Sequence, residues 1–178
     1  MKNSNNIAII CIIFLAAISR LLPHPPNFTP IMAIGFLSGL FLKNYRFGSY
    51  LIPIIAMLLS DIVLEYFYGI GIHPIMPFVY SGIILSTFIG KKLDANSKAH
   101  KVFLYILSSS LIFFIVSNFG VWIFGYPKTF SGFISCYTMA IPFYKNTLAG
   151  DLFYTGAIFG MYLFYKKSVN LIKPNFVK

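Results

Sequence analysis

Long apolar runs separated by polar or proline-rich segments dominate the chain. Six such runs fall at about residues 6–22, 31–42, 47–65, 76–90, 101–117 and 147–165. Their apolar positions are continuous rather than alternating, which favours helices over the strands of a membrane barrel. A helix crosses a bilayer with about 20 apolar residues, so the shorter runs would tilt or end at the interface. The pattern predicts an all-α integral membrane protein with six transmembrane helices in one domain, residues 1–178.

The connections between these runs differ in character. Residues 23–30, the proline loop, hold four prolines and cannot be helical, because each proline removes a hydrogen-bond donor and restricts the preceding residue. Residues 66–77 combine glycine and proline and also interrupt helices. The connections at 43–46 and 91–101 are basic. Residues 118–146 are predicted to form a long outer loop, whose many aromatic residues argue against disorder.

Composition supports a bilayer environment. The chain is 58% hydrophobic and 10% charged, against about 45–50% and about 25% in soluble domains. Spans of this length leave no room for a separate soluble catalytic domain. The first run also resembles a signal peptide, but it lacks a clear cleavage site and is expected to be retained. Cys11 and Cys136 do not form a disulfide framework.

The net charge of +10 could indicate nucleic-acid binding, but such proteins cluster their cations on one polar face. Here the cations interrupt apolar runs. With six alternating spans, three cations fall on the outer side, Arg20, Lys128 and Lys145. The other eleven fall on the inner side: Lys2, Lys43, Arg46, Lys91, Lys92, Lys98, Lys101, Lys166, Lys167, Lys173 and Lys178. The positive-inside rule then places both termini in the cytoplasm of a multi-pass cytoplasmic-membrane protein.

Most of the acids and histidines fall on the outer side of this predicted topology, and only Asp94 and His100 fall on the inner side. Ionisable residues in membrane spans are costly and usually face a cavity or a partner, and loops carry many binding residues. We therefore predict that nine outer residues contact a small-molecule ligand: Arg20, His24, Asn27, Asp61, Asn118, Trp122, Lys145, Asn146 and Asp151.

Several alternatives stay open for these residues. Arg20 could instead form a structural ion pair with Asp61 or Asp151. The aromatic residues could form an interfacial belt. His24, His73 and Cys136 are weak candidates for a metal site, since they lack a short ligand spacing.

Enzymatic activity is a weaker alternative. Asp61 and Asp151 resemble the paired carboxylates of intramembrane aspartyl proteases, but the chain lacks their glycine-x-glycine-aspartate form. No other enzyme motif is present, so neither an enzyme nor a cofactor is expected.

Several motifs resemble an uncharacterised family of small bacterial membrane proteins. They are Arg20-x-x-Pro23-His24-Pro25-Pro26-Asn27-Phe28-Thr29-Pro30, Ser60-Asp61, Ser117-Asn118-Phe119-Gly120-Val121-Trp122, Tyr126-Pro127, Cys136-Tyr137-x-x-Ala140-Ile141-Pro142-Phe143 and Asn146-Thr147-Leu148-x-Gly150-Asp151-Leu152. Together they cover roughly residues 20–160. That family resembles, more distantly, the substrate-binding S components of energy-coupling-factor (ECF) vitamin transporters.

The resemblance implies a six-helix protein that binds a vitamin, corrinoid or metal ion near the outer face and takes part in its uptake. S components commonly carry Ala-x-x-x-Ala in the first helix for docking on an energy-coupling module. Here Ile12 follows Ala8 at that spacing, so coupling to such a module is doubtful. In a solitary corrinoid-binding S component, His24 or Cys136 would act as a cobalt ligand.

We therefore expect a membrane transport protein that binds a small nutrient from outside, with the lipid bilayer and the solute as partners and no nucleic acid. The alternative is a structural or assembly membrane protein whose outer loops contact another protein.

Overall fold

The computed structural model describes the backbone of residues 18–172 and the side chains of residues 18–167. This part of the chain is all-helical, with no strand. Its helices are α1 (Ile31–Phe41), α2 (Gly48–Tyr68), α3 (Met76–Gly90), α4 (Ala99–Gly125) and α5 (Phe130–Ile172). The predicted all-α class is confirmed. The first predicted span, residues 6–22, lies mostly outside the described residues.

The short helix α1 lies at the centre of the bundle. It packs against each of the other four helices, and every residue from Ile31 to Leu40 is buried. A helix that is apolar on all sides has no solvent face to present and is stable only when it is surrounded. The proline loop ends at Pro30, immediately before the first helical residue, and delivers the chain into this central position.

Glycines set how closely α1 approaches α3. A Cβ atom at Gly39 would lie 2.1 Å from the carbonyl oxygen of Thr87, and one at Gly90 would lie 1.9 Å from that of Phe36. Both distances are far below van der Waals contact, so only glycine permits this helix pair. Small residues at close helix contacts are typical of membrane bundles.

Most of the described cations lie at one end of the bundle, which we call the cationic end. Lys43 pairs there with Asp94, and Lys91 Nζ donates to the carbonyl of Arg46 at 3.3 Å. Lys166 near the end of α5 donates to Asn96 at 2.6 Å. These contacts join the α1–α2 connection, the α3–α4 connection and α5. The proline loop, the α2–α3 connection and the α4–α5 turn lie at the opposite end, the proline-loop end.

The predicted number of six membrane spans is not found. Two of the described helices, α2 and α4, are long and apolar enough to cross a membrane. α1 and α3 are apolar but have only 11 and 15 residues, fewer than the roughly 20 needed for a full crossing. Reading each apolar run as a span overestimated the number because a fully buried core helix is equally apolar.

The predicted outer loop, residues 118–146, is also wrong, because this segment is almost entirely helical. α4 continues to Gly125, and α5 begins at Phe130 and runs for 43 residues through Pro142. Only residues 126–129 form a turn. The polar and aromatic residues of the segment suggested a loop, but they are the side chains through which two antiparallel helices contact each other. Tyr137, for example, donates to the carbonyl of Ile115 at 2.8 Å.

Candidate functional site

Two adjoining cavities lie at the proline-loop end of the bundle, with volumes of about 420 Å³ and 180 Å³. They share five lining residues from the proline loop, the α2–α3 connection, α3, α4 and α5, namely Asn27, His73, Val79, Phe113 and Thr147. A volume of this size is typical of small-molecule sites, which span about 300–1,000 Å³. The pair therefore forms the candidate site.

Aromatic and apolar side chains line most of the larger cavity. Phe113 and Phe114 come from α4, and Phe143 and Tyr144 come from the opposing face of α5. The rings of Phe114 and Tyr144 lie 4.7 Å apart at a tilted angle, within the range of favourable aromatic contacts. Such a surface is better suited to contact the apolar part of a ligand than to bind a highly charged ligand.

The smaller cavity is bordered by two charged side chains. Besides the five shared residues, its lining comprises Arg20, Thr29, Asp151 and the apolar residues Ile31, Met32, Met57 and Ile83. A positive and a negative side chain thus border one small space, yet no ion pair joins Arg20 to Asp151 among the described contacts. The cavity therefore combines a donor side and an acceptor side.

Arg20 forms an ion pair with Asp61. Its Nη1 atom lies 2.6 Å from Asp61 Oδ1 and also donates to the Ser60 hydroxyl, while the Tyr80 hydroxyl donates to Asp61 Oδ2 at 2.8 Å. Asp61 is buried and lines neither cavity. Its two oxygens are both satisfied, so this aspartate ties the proline-loop end to α2 and α3. Of the two ion pairs left open above, Arg20–Asp61 is the one formed.

Asp151 is equally buried but less well satisfied. The Ser110 hydroxyl donates to its Oδ2 at 2.5 Å, whereas Oδ1 has no hydrogen-bond partner among the described residues. The hydroxyl of Thr155, four residues later on the same helix face, is also buried and without a partner. Buried polar atoms are nearly always paired in proteins. This unpaired carboxylate oxygen is therefore the exceptional polar group of the site.

The proline loop is fixed to α5 over the site. The side-chain amide of Asn146 donates to the carbonyl of Pro26 at 3.0 Å, and the ring of Phe28 packs on Phe153 and Tyr154. Asn27 adopts a positive φ of 65°, a conformation that asparagine tolerates better than most residues, and it lines both cavities. Asn146 acts through the loop and lines neither cavity.

The other predicted ligand residues occupy varied positions. Asn118 lines the larger cavity, with its amide donating to the carbonyl of Phe114 at 2.8 Å. Trp122 lies beyond the cavity, where its indole donates to the Pro127 carbonyl at 3.1 Å and stabilises the α4–α5 turn. Lys145 is exposed, and His24 contacts the carbonyl of Leu22; neither lines a cavity.

The weak metal candidates are only partly brought together. His73 and Cys136 both line the larger cavity, but His24 does not. Within the described residues, no group of three histidine, cysteine or acidic side chains is placed to hold a metal ion. The larger cavity thus offers at most two of the three proposed ligands.

Sequence reasoning missed several site residues, chiefly Tyr80, Phe113, Thr147 and Ser110. Thr147 and Asp151 stand four residues apart, as do Asp151 and Thr155, so three polar residues recur at helical spacing in an apolar run. That pattern was the available signal. Tyr80, in contrast, is one of 12 tyrosines, and nothing in its local sequence distinguishes it.

Neither the curated proteins nor the solved structures include a significant match to this chain. A family model does match, over residues 1–173, which confirms that the chain is a member of an uncharacterised family. The chain belongs to a family of unknown function (DUF6580).

Proposed function

We propose that this protein is a multi-pass membrane protein that binds a small organic nutrient at the proline-loop end and takes part in its uptake. The observation that carries the proposal is the pair of adjoining cavities, whose apolar and aromatic lining is interrupted by a few polar groups, with Arg20 and Asp151 at the smaller one. Pockets that bind small molecules combine a largely apolar lining with a few polar groups that orient the ligand.

Exposed apolar surface supports a membrane location. In the most apolar windows of α2 and α4, only 33% and 22% of the residues are buried. A core helix of a soluble protein would be mostly buried. Large exposed apolar surfaces mark contact with a membrane or a partner, and here they belong to the two helices with a suitable length.

The charge distribution supports an orientation. The cationic end collects Lys43, Lys91 and Lys166, as the positive-inside rule expects of a cytoplasmic side. The cavities at the other end would then open toward the outside, as expected for an S-component-like protein that captures a vitamin, corrinoid or similar nutrient. An α5 of 43 residues measures about 64 Å at 1.5 Å per residue, so its first part would project beyond the bilayer core.

A structural or assembly role is the second candidate. Trp122 and Asn146, both predicted to contact a ligand, make hydrogen bonds that hold the turn and the proline loop. Arg20 and Asp61 likewise form an internal pair. These contacts favour a rigid outer surface, which a protein partner would recognise without any solute.

A cavity-filling variant separates the two functions. We expect Ala140→Leu to fill part of the larger cavity, which Ala140 lines, and to abolish stabilisation by the ligand. The matched control is Ala149→Leu, because Ala149 lies on the same helix but is exposed and outside both cavities. The protein would be purified in detergent and screened by thermal shift against vitamins, corrinoids and metal ions.

A ligand that stabilises the wild type and the Ala149→Leu variant, but not the Ala140→Leu variant, supports solute binding in the cavity. The structural role would be favoured by two results together. No compound of the panel stabilises the protein, and cells that carry the Ala140→Leu variant take up all panel compounds normally.

A further inference from the structure

We infer that Asp151 binds the cationic group of the solute, so that the ligand is a monovalent organic amine whose apolar body occupies the larger cavity. This inference rests on the proposed solute binding and adds the chemical class of the solute. Its basis is the charge, the hydrogen bonding and the shape of the two cavities.

The charges at the site do not balance. Arg20 is neutralised by Asp61, whose Oδ1 lies 2.6 Å from its Nη1. Asp151 has no such partner, since no lysine, arginine or histidine nitrogen among the described residues lies within 4.0 Å of its oxygens. When Asp151 is ionised, no described cation offsets its negative charge beside the smaller cavity. A ligand with one positive charge neutralises the site.

The hydrogen bonding also indicates a donor ligand. Asp151 is 1% exposed, and within the described part of the chain its Oδ1 atom and the nearby Thr155 Oγ1 atom both lack partners. Burial makes an uncompensated carboxylate costly. An ammonium group carries three donors and one positive charge, so it satisfies the unpaired oxygen and offsets the charge in one interaction.

The larger cavity indicates that the cation is organic. A metal ion or a proton at Asp151 would leave about 420 Å³ of adjoining space without a role. The rings of Phe113, Phe114 and Tyr144 line that space next to the smaller cavity. Aromatic faces attract cations and cover flat apolar groups, so an amine attached to an apolar body matches both cavities.

The test compares compounds of one shape and different charge. The detergent-purified protein would be titrated calorimetrically with 2-phenylethylamine, with 2-phenylethanol as its neutral analogue and phenylacetate as its anion. Tryptamine, with tryptophol and indole-3-acetate, forms a second matched set. We expect at least one amine to bind at least tenfold more tightly than the alcohol and the acid. Equal binding of the alcohol or the acid, or no binding of either amine, would overturn the inference.

Asp151→Asn tests the residue itself, because asparagine keeps the size and the acceptor for Ser110 but removes the charge. We expect the variant to lose the preference for the amine over the alcohol. Asp94→Asn, at the exposed cationic end, should keep that preference. An Asp151→Asn variant that folds and still prefers the amine contradicts the assignment. If this variant does not fold, the inference is tested by the wild type alone, from its relative affinities for the amine, the alcohol and the acid.

These outcomes separate the inference from the function on which it rests. One outcome is that a neutral or anionic vitamin binds, that Ala140→Leu abolishes this binding, and that amines are not preferred. This outcome overturns the inference of a cationic ligand but leaves the proposed solute binding intact. A metal ion rather than an amine would be the ligand if three results hold together. Sodium chloride stabilises the protein more than osmotically matched sucrose, Asp151→Asn abolishes this stabilisation, and an amine adds nothing to it. Failure of every vitamin, metal ion and amine overturns both.

Discussion

Asp61 and Asp151 are buried to nearly the same degree, at 2% and 1% exposure, yet their surroundings differ. Asp61 on α2 is held by the guanidinium of Arg20 and by the hydroxyl of Tyr80. Asp151 on α5 receives one hydrogen bond, from Ser110, and borders the smaller cavity with its other oxygen unpaired. Burial alone therefore does not distinguish a structural acid from one that is available to a ligand.

The difference lies in what each carboxylate contributes to stability. A paired and hydrogen-bonded carboxylate connects helices, and its loss leaves its partners unsatisfied. A buried carboxylate without a partner lowers the stability of the protein without ligand. A ligand stabilises it by supplying a positive charge and hydrogen-bond donors. We therefore expect substitution by asparagine to lower stability at Asp61 but not at Asp151.

The largest expected effect is the destabilisation caused by Asp61→Asn. The amide still fills the space, but Arg20 loses its counter-charge near the protein interior, and breaking such a pair costs about 3 kcal/mol. Asp151→Asn should leave the free energy of unfolding unchanged or raise it, because it removes an uncompensated charge. Thermal and denaturant unfolding in one detergent at one pH measure both.

The comparison between the two acids fails if both variants lose stability equally. A useful control is the double substitution Arg20→Met with Asp61→Leu, which removes both charges. It should be more stable than Asp61→Asn alone, since replacing a buried pair with apolar residues is often neutral.

An intermediate effect is expected for Tyr80→Phe. This change removes the 2.8 Å hydrogen bond to Asp61 Oδ2, and a bond to a charged acceptor contributes about 1.5–3 kcal/mol. The matched control is Tyr137→Phe, which removes a 2.8 Å bond to the neutral carbonyl of Ile115 and should cost about 1 kcal/mol or less. Unfolding midpoints under identical conditions rank the two. A larger loss at Tyr137 would contradict the structural importance assigned to Asp61.

The smallest effect is expected at the cationic end. Asp94 pairs with Lys43, but its side chain is 65% exposed, and exposed ion pairs contribute about 0–1 kcal/mol. Asp94→Asn should therefore change the unfolding midpoint only slightly, and less at high salt. A loss as large as that of Asp61→Asn would show that the cationic end, rather than the Arg20–Asp61 pair, holds the bundle together.

The sequence predicted the helical class and the side of the bundle on which its polar groups lie. Both depend on local or additive properties: continuous apolar runs predict helices, and the count of cations between runs predicts which connections share an end. The contacts of Lys43 with Asp94 and of Lys166 with Asn96 bring those connections together as the count requires.

The length of α5 and the helical nature of residues 118–146 were missed for a physical reason. A polar or aromatic residue on a helix that packs against another helix looks the same in sequence as one in a loop. Only the contacts with the antiparallel helix show the difference. The hydroxyl of Tyr137 donates to the backbone carbonyl of Ile115, and the thiol of Cys136 donates to the backbone carbonyl of Asn118.

The sequence by itself determined that Arg20, Asp61 and Asp151 are costly residues in an apolar chain and that each needs a partner. Tertiary structure decided which partner each one has. It assigned Arg20 to Asp61 and left one oxygen of Asp151, which borders a cavity, without a partner among residues 18–167. This division follows from the distances over which the two kinds of information act. Insertion cost and charge belong to single residues, whereas pairing depends on which side chains from distant helices meet within about 3 Å.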